Sequence, residues 1–389
     1  MTISGPRAPG RRPAFRSLGP GILFAALTLL VACGGNDAVD VTPGAAKDLP
    51  AQQQATPPDP PPEVLEQPDV EVPLTVDPAQ SNGWTRISPT AGLDAVTASP
   101  DGEVLLVSLP GRGLISHDRG RSWQELDWPG ELRARAAIDS SGRFLLVAGI
   151  GSAAGLESTA VWSRDGGRTW ADTGRAAPAV AHFVVDSFLL AALDSGILAS
   201  QDGGASGTVL IPNTDLNTAL FEPMGIDVNA RDPEEFFVVS ASEGGSIRIL
   251  RTPDAGETVE TVADDFDLWG WTLVRFSPIG PLILSQGVGV LLSFDRGATW
   301  FVQNQGLEAL AQDGRLTGLV DLAVLPNGNL PVAAGADAIF IFDPGGWERL
   351  PGPAGEIRAL AIQGGDDPRL LAATSTGLWA LPAGLIATP

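Results

Sequence analysis

The sequence predicts an all-β fold: a ring of seven four-stranded sheets, the last completed by a strand from the chain's own start. Three observations predict it. The 389 residues include 47 Gly and 33 Pro, a composition rich in turns and poor in long helices. One octet, Ser-x-Asp-x-Gly-x-Ser/Thr-Trp, recurs in full at residues 116–123, 163–170 and 293–300. Paired apolar runs of strand length precede each copy, at 103–109 and 113–116, at 143–149 and 159–163, and at 282–285 and 288–293. Short β-rich runs broken by Gly, Pro and Asp at regular spacing are the sequence form of an all-β repeat fold.

In chain order, the first 32 residues come first. They carry Arg7, Arg11, Arg12 and Arg16, no acid, and an apolar run over 18–32 interrupted by Pro20. That run falls short of the roughly 20 residues that span a bilayer. A basic stretch before a short apolar run reads as an export signal. The run ends Leu30-Val31-Ala32-Cys33-Gly34, and Cys33 is the only cysteine. This segment resembles the lipobox of bacterial lipoproteins. The resemblance implies cleavage before Cys33, lipidation of Cys33 and a membrane anchor of more than one acyl chain, since a single chain holds only marginally. By the same resemblance, Gly34 in place of Asp points to the outer membrane in a cell that has one.

A lone cysteine excludes an intramolecular disulfide, a multi-thiol zinc site and an iron–sulfur cluster. The full chain carries a net charge of −22; removing residues 1–32 leaves 20 Lys and Arg against 46 Asp and Glu, near −26. Phosphate neutralisation needs clustered bases, so nucleic acid is not an expected partner. Residues 33–82 contain Gln52-Gln53-Gln54 and a Pro-rich stretch at 57–62. They read as an extended tether. Residues 83–389 are then the repeat domain.

Each full octet reads as the turn between a third and a fourth strand. Its members are Ser116, Asp118, Gly120 and Trp123; Ser163, Asp165, Gly167 and Trp170; and Ser293, Asp295, Gly297 and Trp300. Asp accepts backbone N–H groups within a turn, and Gly takes positive φ without a steric cost. The Trp is expected to pack between sheets, so the octets read as structural staples. Degenerate copies lie at 200–206, 252–258 and 343–347. The six aligned Asp positions are 47, 37, 52, 41 and 48 residues apart, near the ~40–45 of a four-stranded blade. A seventh unit has three runs, 357–362, 370–374 and 378–381, and no fourth. Trp84-Thr85-Arg86-Ile87-Ser88 is similar to the strand that follows an octet elsewhere. It is expected to complete the last sheet and remove an open edge.

The octet resembles the Asp box, or BNR repeat, of sialidase-like β-propellers, and three full copies make the resemblance specific. It covers residues 83–389 and implies a seven-bladed β-propeller. Sialidases of this kind use a Tyr nucleophile, three Arg that grip the substrate carboxylate and a Phe/Tyr-Arg-Ile-Pro segment. This chain has no Tyr, and residues 84–88 match that segment only distantly. Asp-box xyloglucan hydrolases pair two propellers, and this chain has room for one. Photosystem II assembly factors are single propellers, often lipoproteins. Their repeated Gly-Trp-Ala-Val-Gly strand is absent here, and this acidic chain is not expected to form their basic patch. Sortilin-type receptor propellers are larger and disulfide-bonded.

In such a ring, the segments between blades and the loops between second and third strands share the face opposite the octets, the usual ligand face. Its longest expected segments are 212–225, 263–271 and 304–318, with 149–159 inside the second blade. The most distinctive carries Asp264, Asp265, Asp267, Trp269 and Trp271. Three acids are a candidate hard-cation set, and the two Trp are candidate stacking groups. The competing reading is a solvated acidic loop with Trp271 opening a core strand. Gly149-Ile150-Gly151 lacks the following helix that a dinucleotide site needs. His117 and His182, the only histidines, have no triad partner in the sequence and read as structural.

The expected function is a lipid-anchored extracytoplasmic propeller that binds a protein or envelope glycan without catalysis. The alternative is a glycan-active hydrolase using upper-face carboxylates. No cofactor and no metal are assigned, and a monomer is expected.

Overall fold

The computed structural model describes residues 2–4 and 79–386, apart from 89, 111, 128–132, 140, 144, 151–158, 177–179, 186–187, 194–195, 201–207, 213–221, 230–231, 233, 242–246, 267–271, 278–279, 286–288, 314, 326–330 and 344. Among these residues, seven sheets have four or five antiparallel strands. Each sheet follows chain order from its first strand outward. The first sheet is Ala95–Ala98, Leu105–Leu109, Arg112–Ser116 and Gln124–Asp127. The second runs from Arg133–Ile138 to Ala171–Ala176, the third from Val180–Val185 to Thr208–Pro212, and the fourth from Glu222–Val228 to Glu260–Phe266. The fifth runs from Thr272–Ser277 to Thr299–Val302 and the sixth from Leu319–Val324 to Gly346–Pro351.

The seventh sheet joins the two ends of the domain. Ile357–Gln363, Arg369–Thr374 and Gly377–Pro382 supply three strands, and Trp84–Arg86 supplies the fourth. Thr85 pairs with Ala380 and Arg86 with Trp379. The closing strand is shorter than the expected 84–88: Ile87 still donates its N–H to the Leu378 carbonyl at 2.8 Å, and the chain then leaves the sheet. Gln80–Ser81 adds a fifth strand through the turn at Asn82-Gly83, with φ of 52° and 85°. Asn-Gly with two positive φ values is the preferred two-residue hairpin. It places residues 80–82, inside the stretch expected to be tether, in the seventh sheet.

The first strands sit side by side around a centre. Each lies next to the first strand of the following sheet, and Ile357–Gln363 lies next to Ala95–Ala98. The ring therefore closes, and the fold is a β-propeller. The core is divided among the interfaces between neighbouring sheets. Leu105, Val107 and Leu109 pack against Leu371, Ala373 and Leu378 of the seventh sheet, while Leu106 and Ile115 pack against Ile138 and Leu145 of the second. Consecutive residues thus face opposite interfaces, and Leu105–Leu109 is buried throughout. A strand covered on both faces needs a nearly continuous apolar run, here broken only by Ser108. Similar clusters join the third to the fourth, fourth to fifth, fifth to sixth and sixth to seventh sheets.

Two expectations change. The sixth sheet does not use an octet turn. Asp343 pairs directly with Gly346, and Asp343 Oδ1 accepts the Gly345 N–H at 2.6 Å, a tight hairpin that needs no longer loop. The segment 304–318 is not a free loop either. It holds a turn of 3-10 helix at Glu308–Leu310 and a ladder between Ala311–Gln312 and Arg315–Leu316. Leu307 and Leu316 anchor it in the core between the fifth and sixth sheets. Among the described residues, no helix is long and apolar enough to cross a membrane. Residues 7–78, with Cys33, lie outside the described set.

Candidate functional site

The octet turns are built alike. Ser116 Oγ donates to Asp118 Oδ1 at 2.8 Å and accepts the Gly120 N–H at 2.7 Å. Asp118 Oδ1 also accepts the N–H groups of Arg121 and Ser122, and Oδ2 accepts the Ser122 hydroxyl at 2.6 Å. Asp165 is held by Ser163 and Thr169, and Asp295 by Ser293 and Thr299, in the same way. The degenerate copy at 252–258 makes the same set, with Thr252 in place of Ser and Thr258 donating to both oxygens of Asp254. Burial works against the charged form of these four carboxylates. Their hydrogen bonds from the Ser/Thr hydroxyl and backbone N–H outweigh it and hold each below the usual Asp value. A carboxylate so committed is a poor ligand or base.

The octet Trp residues reach backwards around the ring. Trp123 Nε1 donates to the Ile87 carbonyl at 2.8 Å, just past the outer strand of the seventh sheet. Trp347 Nε1 donates to the Gln303 carbonyl at 2.7 Å, just past the fifth. Trp84 Nε1 donates to Pro351 of the sixth at 3.2 Å, so Trp84 occupies an octet-Trp position without an octet before it. Trp170 and Trp300 are packed between sheets as expected, but their buried indole N–H groups have no partner among the described residues. Gly167 shows why glycine is required. Its φ is +87°, and an added Cβ would lie 2.8 Å from Leu126 Cδ2 of the first sheet.

On the octet face, the junction of the first and seventh sheets carries a polar clasp. Arg119 donates to the Gly364 and Asp367 carbonyls at 3.2 and 2.7 Å and pairs with Glu103. Arg369 donates to the Arg119 carbonyl at 2.6 Å and to Gln363, which in turn donates to Gly102 O. His117 sits in the first octet with its ring against Gly142, where an added Cβ would lie 2.5 Å from Cε1. Desolvation pushes its imidazole below the usual value, against Asp118 and with Arg168. His182 lies on the innermost strand of the third sheet, opposite Leu190.

Strand alternation puts the inter-sheet segments and the second-to-third-strand turns on the opposite, upper face. The expected ligand segment is only partly visible there. Asp264 and Asp265 belong to the strand Glu260–Phe266, not to a loop. The pairing steps from Ile249 with Ala263 to Ile247 with Phe266, so one extra residue bulges at Asp264-Asp265. Bulges re-aim side chains and end pairing at sheet edges. Asp267, Trp269 and Trp271, and the centres of 212–225 and 149–159, lie outside the described residues. Elsewhere on this face four acids pair with arginines. Asp94 pairs with Arg358 at 3.1 Å, Glu356 with Arg358 at 3.8 Å, Asp337 with Arg349 at 3.2 Å and Glu125 with Arg112 at 2.6 Å. Exposed pairs contribute little to stability. The pair of Asp94 and Arg358 has no local signal in the sequence, since the two are 264 residues apart.

No protein-family model matches the chain, and no curated protein matches it. Solved structures do. YCF48 from Cyanidioschyzon merolae is 14% identical, with a TM-score of 0.53 over 77% of this chain and 98% of that one. YCF48 bound to D1 peptide is 16% identical, with a TM-score of 0.52 over 81% and 98%. The GH74 xyloglucanase from Xanthomonas campestris is 17% identical, with a TM-score of 0.56 over 79% of this chain but 54% of the enzyme. At these identities the likeness is one of fold, and the fold they share with this chain is the β-propeller.

Proposed function

We propose that the chain is a lipid-anchored, extracytoplasmic propeller of seven blades, one per sheet, that binds a protein or envelope glycan without catalysis. The observation that carries this reading is one of extent. The chain accounts for 98% of a propeller that has been captured with a bound peptide, and for 54% of a glycoside hydrolase. Function does not follow from fold alone, and two features of this chain add support. The octet carboxylates are committed to their turns, and Asp94, Glu125, Asp337 and Glu356 of the upper face are paired with arginines. Lipidation of Cys33 would hold the ring, at the end of its Pro-rich tether, to the cell envelope, at the outer membrane in a cell that has one.

Two measurements test the proposal. The full chain should take up labelled fatty acid and sediment with membranes, and Cys33→Ser should do neither. Recovery of the Cys33 chain in the soluble fraction would overturn the anchor. Cross-linking in intact envelopes should yield a discrete partner adduct, while a panel of chromogenic glycosides should show no turnover. The likeness to the xyloglucanase and the bulge at Asp264-Asp265 favour the second reading, a glycan-active hydrolase. Glycoside turnover abolished by Asp264→Asn or Asp265→Asn would establish it and end the non-catalytic one.

A further inference from the structure

The outermost strands of the seven sheets differ in how they are protected. An exposed edge presents unpaired backbone groups that recruit further strands, and proteins block edges with charge, proline or a covering segment. The outer strands of the first, second, fourth and sixth sheets all carry charged residues, in the sequences QELD, ADTGRA, ETVADDF and GWERLP. The third ends in Pro212. The seventh is covered by Gln80–Ser81. Thr299–Val302 of the fifth sheet, TWFV, has neither charge nor proline.

This edge has an occupant. Thr2–Ser4 lies antiparallel along it, Thr2 opposite Phe301, Ile3 opposite Trp300 and Ser4 opposite Thr299. Beside it the surface is apolar: Phe294 is 54% and Val302 39% exposed, two of the four large hydrophobic residues exposed among those described. Phe294 also packs against Phe301, with ring centroids 6.2 Å apart.

We propose that the outer edge of the fifth sheet is a strand-acceptor site for an extended, uncharged, β-branched segment of a partner protein, with Thr2-Ile3-Ser4 showing the kind of segment it takes. Strand addition draws affinity from main-chain hydrogen bonds and selectivity from the flanking side chains. Export processing of the kind proposed above would remove residues 2–4 and open the edge to the partner. The inference deepens the binding-module reading and rests on it.

The probe is the hexapeptide MTISGP, labelled, titrated against the full chain in detergent. Ile3→Pro in the chain removes a backbone donor from its own added strand. The Ile3→Pro chain should therefore bind the probe at least about tenfold more tightly than the wild type, whose edge is filled. A probe N-methylated at its Ile should lose that binding, which keeps the test independent of any effect on folding. Adding Val302→Pro, which removes an outward-facing edge N–H, to the Ile3→Pro chain should weaken probe binding at least about tenfold while leaving the thermal transition of the ring in place. Equal binding of the N-methylated probe, or no binding by the Ile3→Pro chain, would overturn the proposal. Dimerisation of the Ile3→Pro chain that Val302→Pro reverses would assign the edge to a second copy instead and equally overturn it. Envelope cross-linking with the Val302→Pro chain separates the two readings. An unchanged partner adduct leaves the binding-module reading standing and removes this one. Probe binding without any envelope adduct does the reverse.

Discussion

The fourth and sixth sheets each keep half of the octet. The fourth retains the knitted turn, with Asp254 bonded to Thr252 and Thr258, but has Val259, 37% exposed, where the full octets have Trp. The sixth retains the Trp, with Trp347 bonded back to Gln303, but its strands are joined by a tight hairpin at Asp343. Both sheets form, and both pack against their neighbours. The octet is therefore two devices that can be separated. One is a local turn closed by a carboxylate, and the other is an aromatic staple to the preceding sheet.

The largest effect should come from removing a staple. Trp347→Ala and Trp123→Ala each empty a buried site and strand a backbone carbonyl, and should destabilise by about 3–5 kcal/mol in denaturant titrations. A loss below about 1 kcal/mol would show that the staple is dispensable and that the turns alone hold the ring.

Next comes the carboxylate. Asp165→Ala removes charge-assisted bonds to the turn and should lose about 1.5–3 kcal/mol. The folded-state pKa values of Asp118, Asp165, Asp254 and Asp295 lie below the ordinary one. Their stabilisation is therefore complete above the unfolded carboxyl range and is lost as pH falls through the folded values. Asp165→Asn should show a shallower acid-induced loss of stability than the wild type; an identical pH profile would sink the carboxylate's role.

The smallest effect lies in the turn backbone. Ala255 has a φ of +55°, a left-handed conformation that disfavours any Cβ. Ala255→Gly should stabilise the fourth sheet's turn by about 0.5–1 kcal/mol. Gly167→Ala should act in the opposite direction and more strongly, since its Cβ would also strike Leu126. A thermal melt of each variant would check both signs.

Much of the fold was legible because octet bonds are local. Asp118 holds groups from residue 116 to residue 122, so the turn is written in consecutive letters. The apolar runs were equally legible because a strand buried on both faces leaves few polar gaps. The site was less so. Acids at 264–267 suggested a loop, but β pairing through Phe266 takes Asp264 and Asp265 into a bulged strand. The Asn82-Gly83 hairpin carried a strong local signal that the Pro-rich stretch before it obscured.

The sequence by itself determined the repeat, the octet turns and the need for a closing strand, since each depends on neighbours in the chain or on counting strands. Only the tertiary structure decided which carbonyl each Trp meets, where Arg119 and Arg369 clasp the seam, and which outer edge is left unblocked. Those contacts join groups up to 267 residues apart. Their partners are chosen by the twist and closure of the ring, which brings distant strands into register and leaves no trace in local spacing.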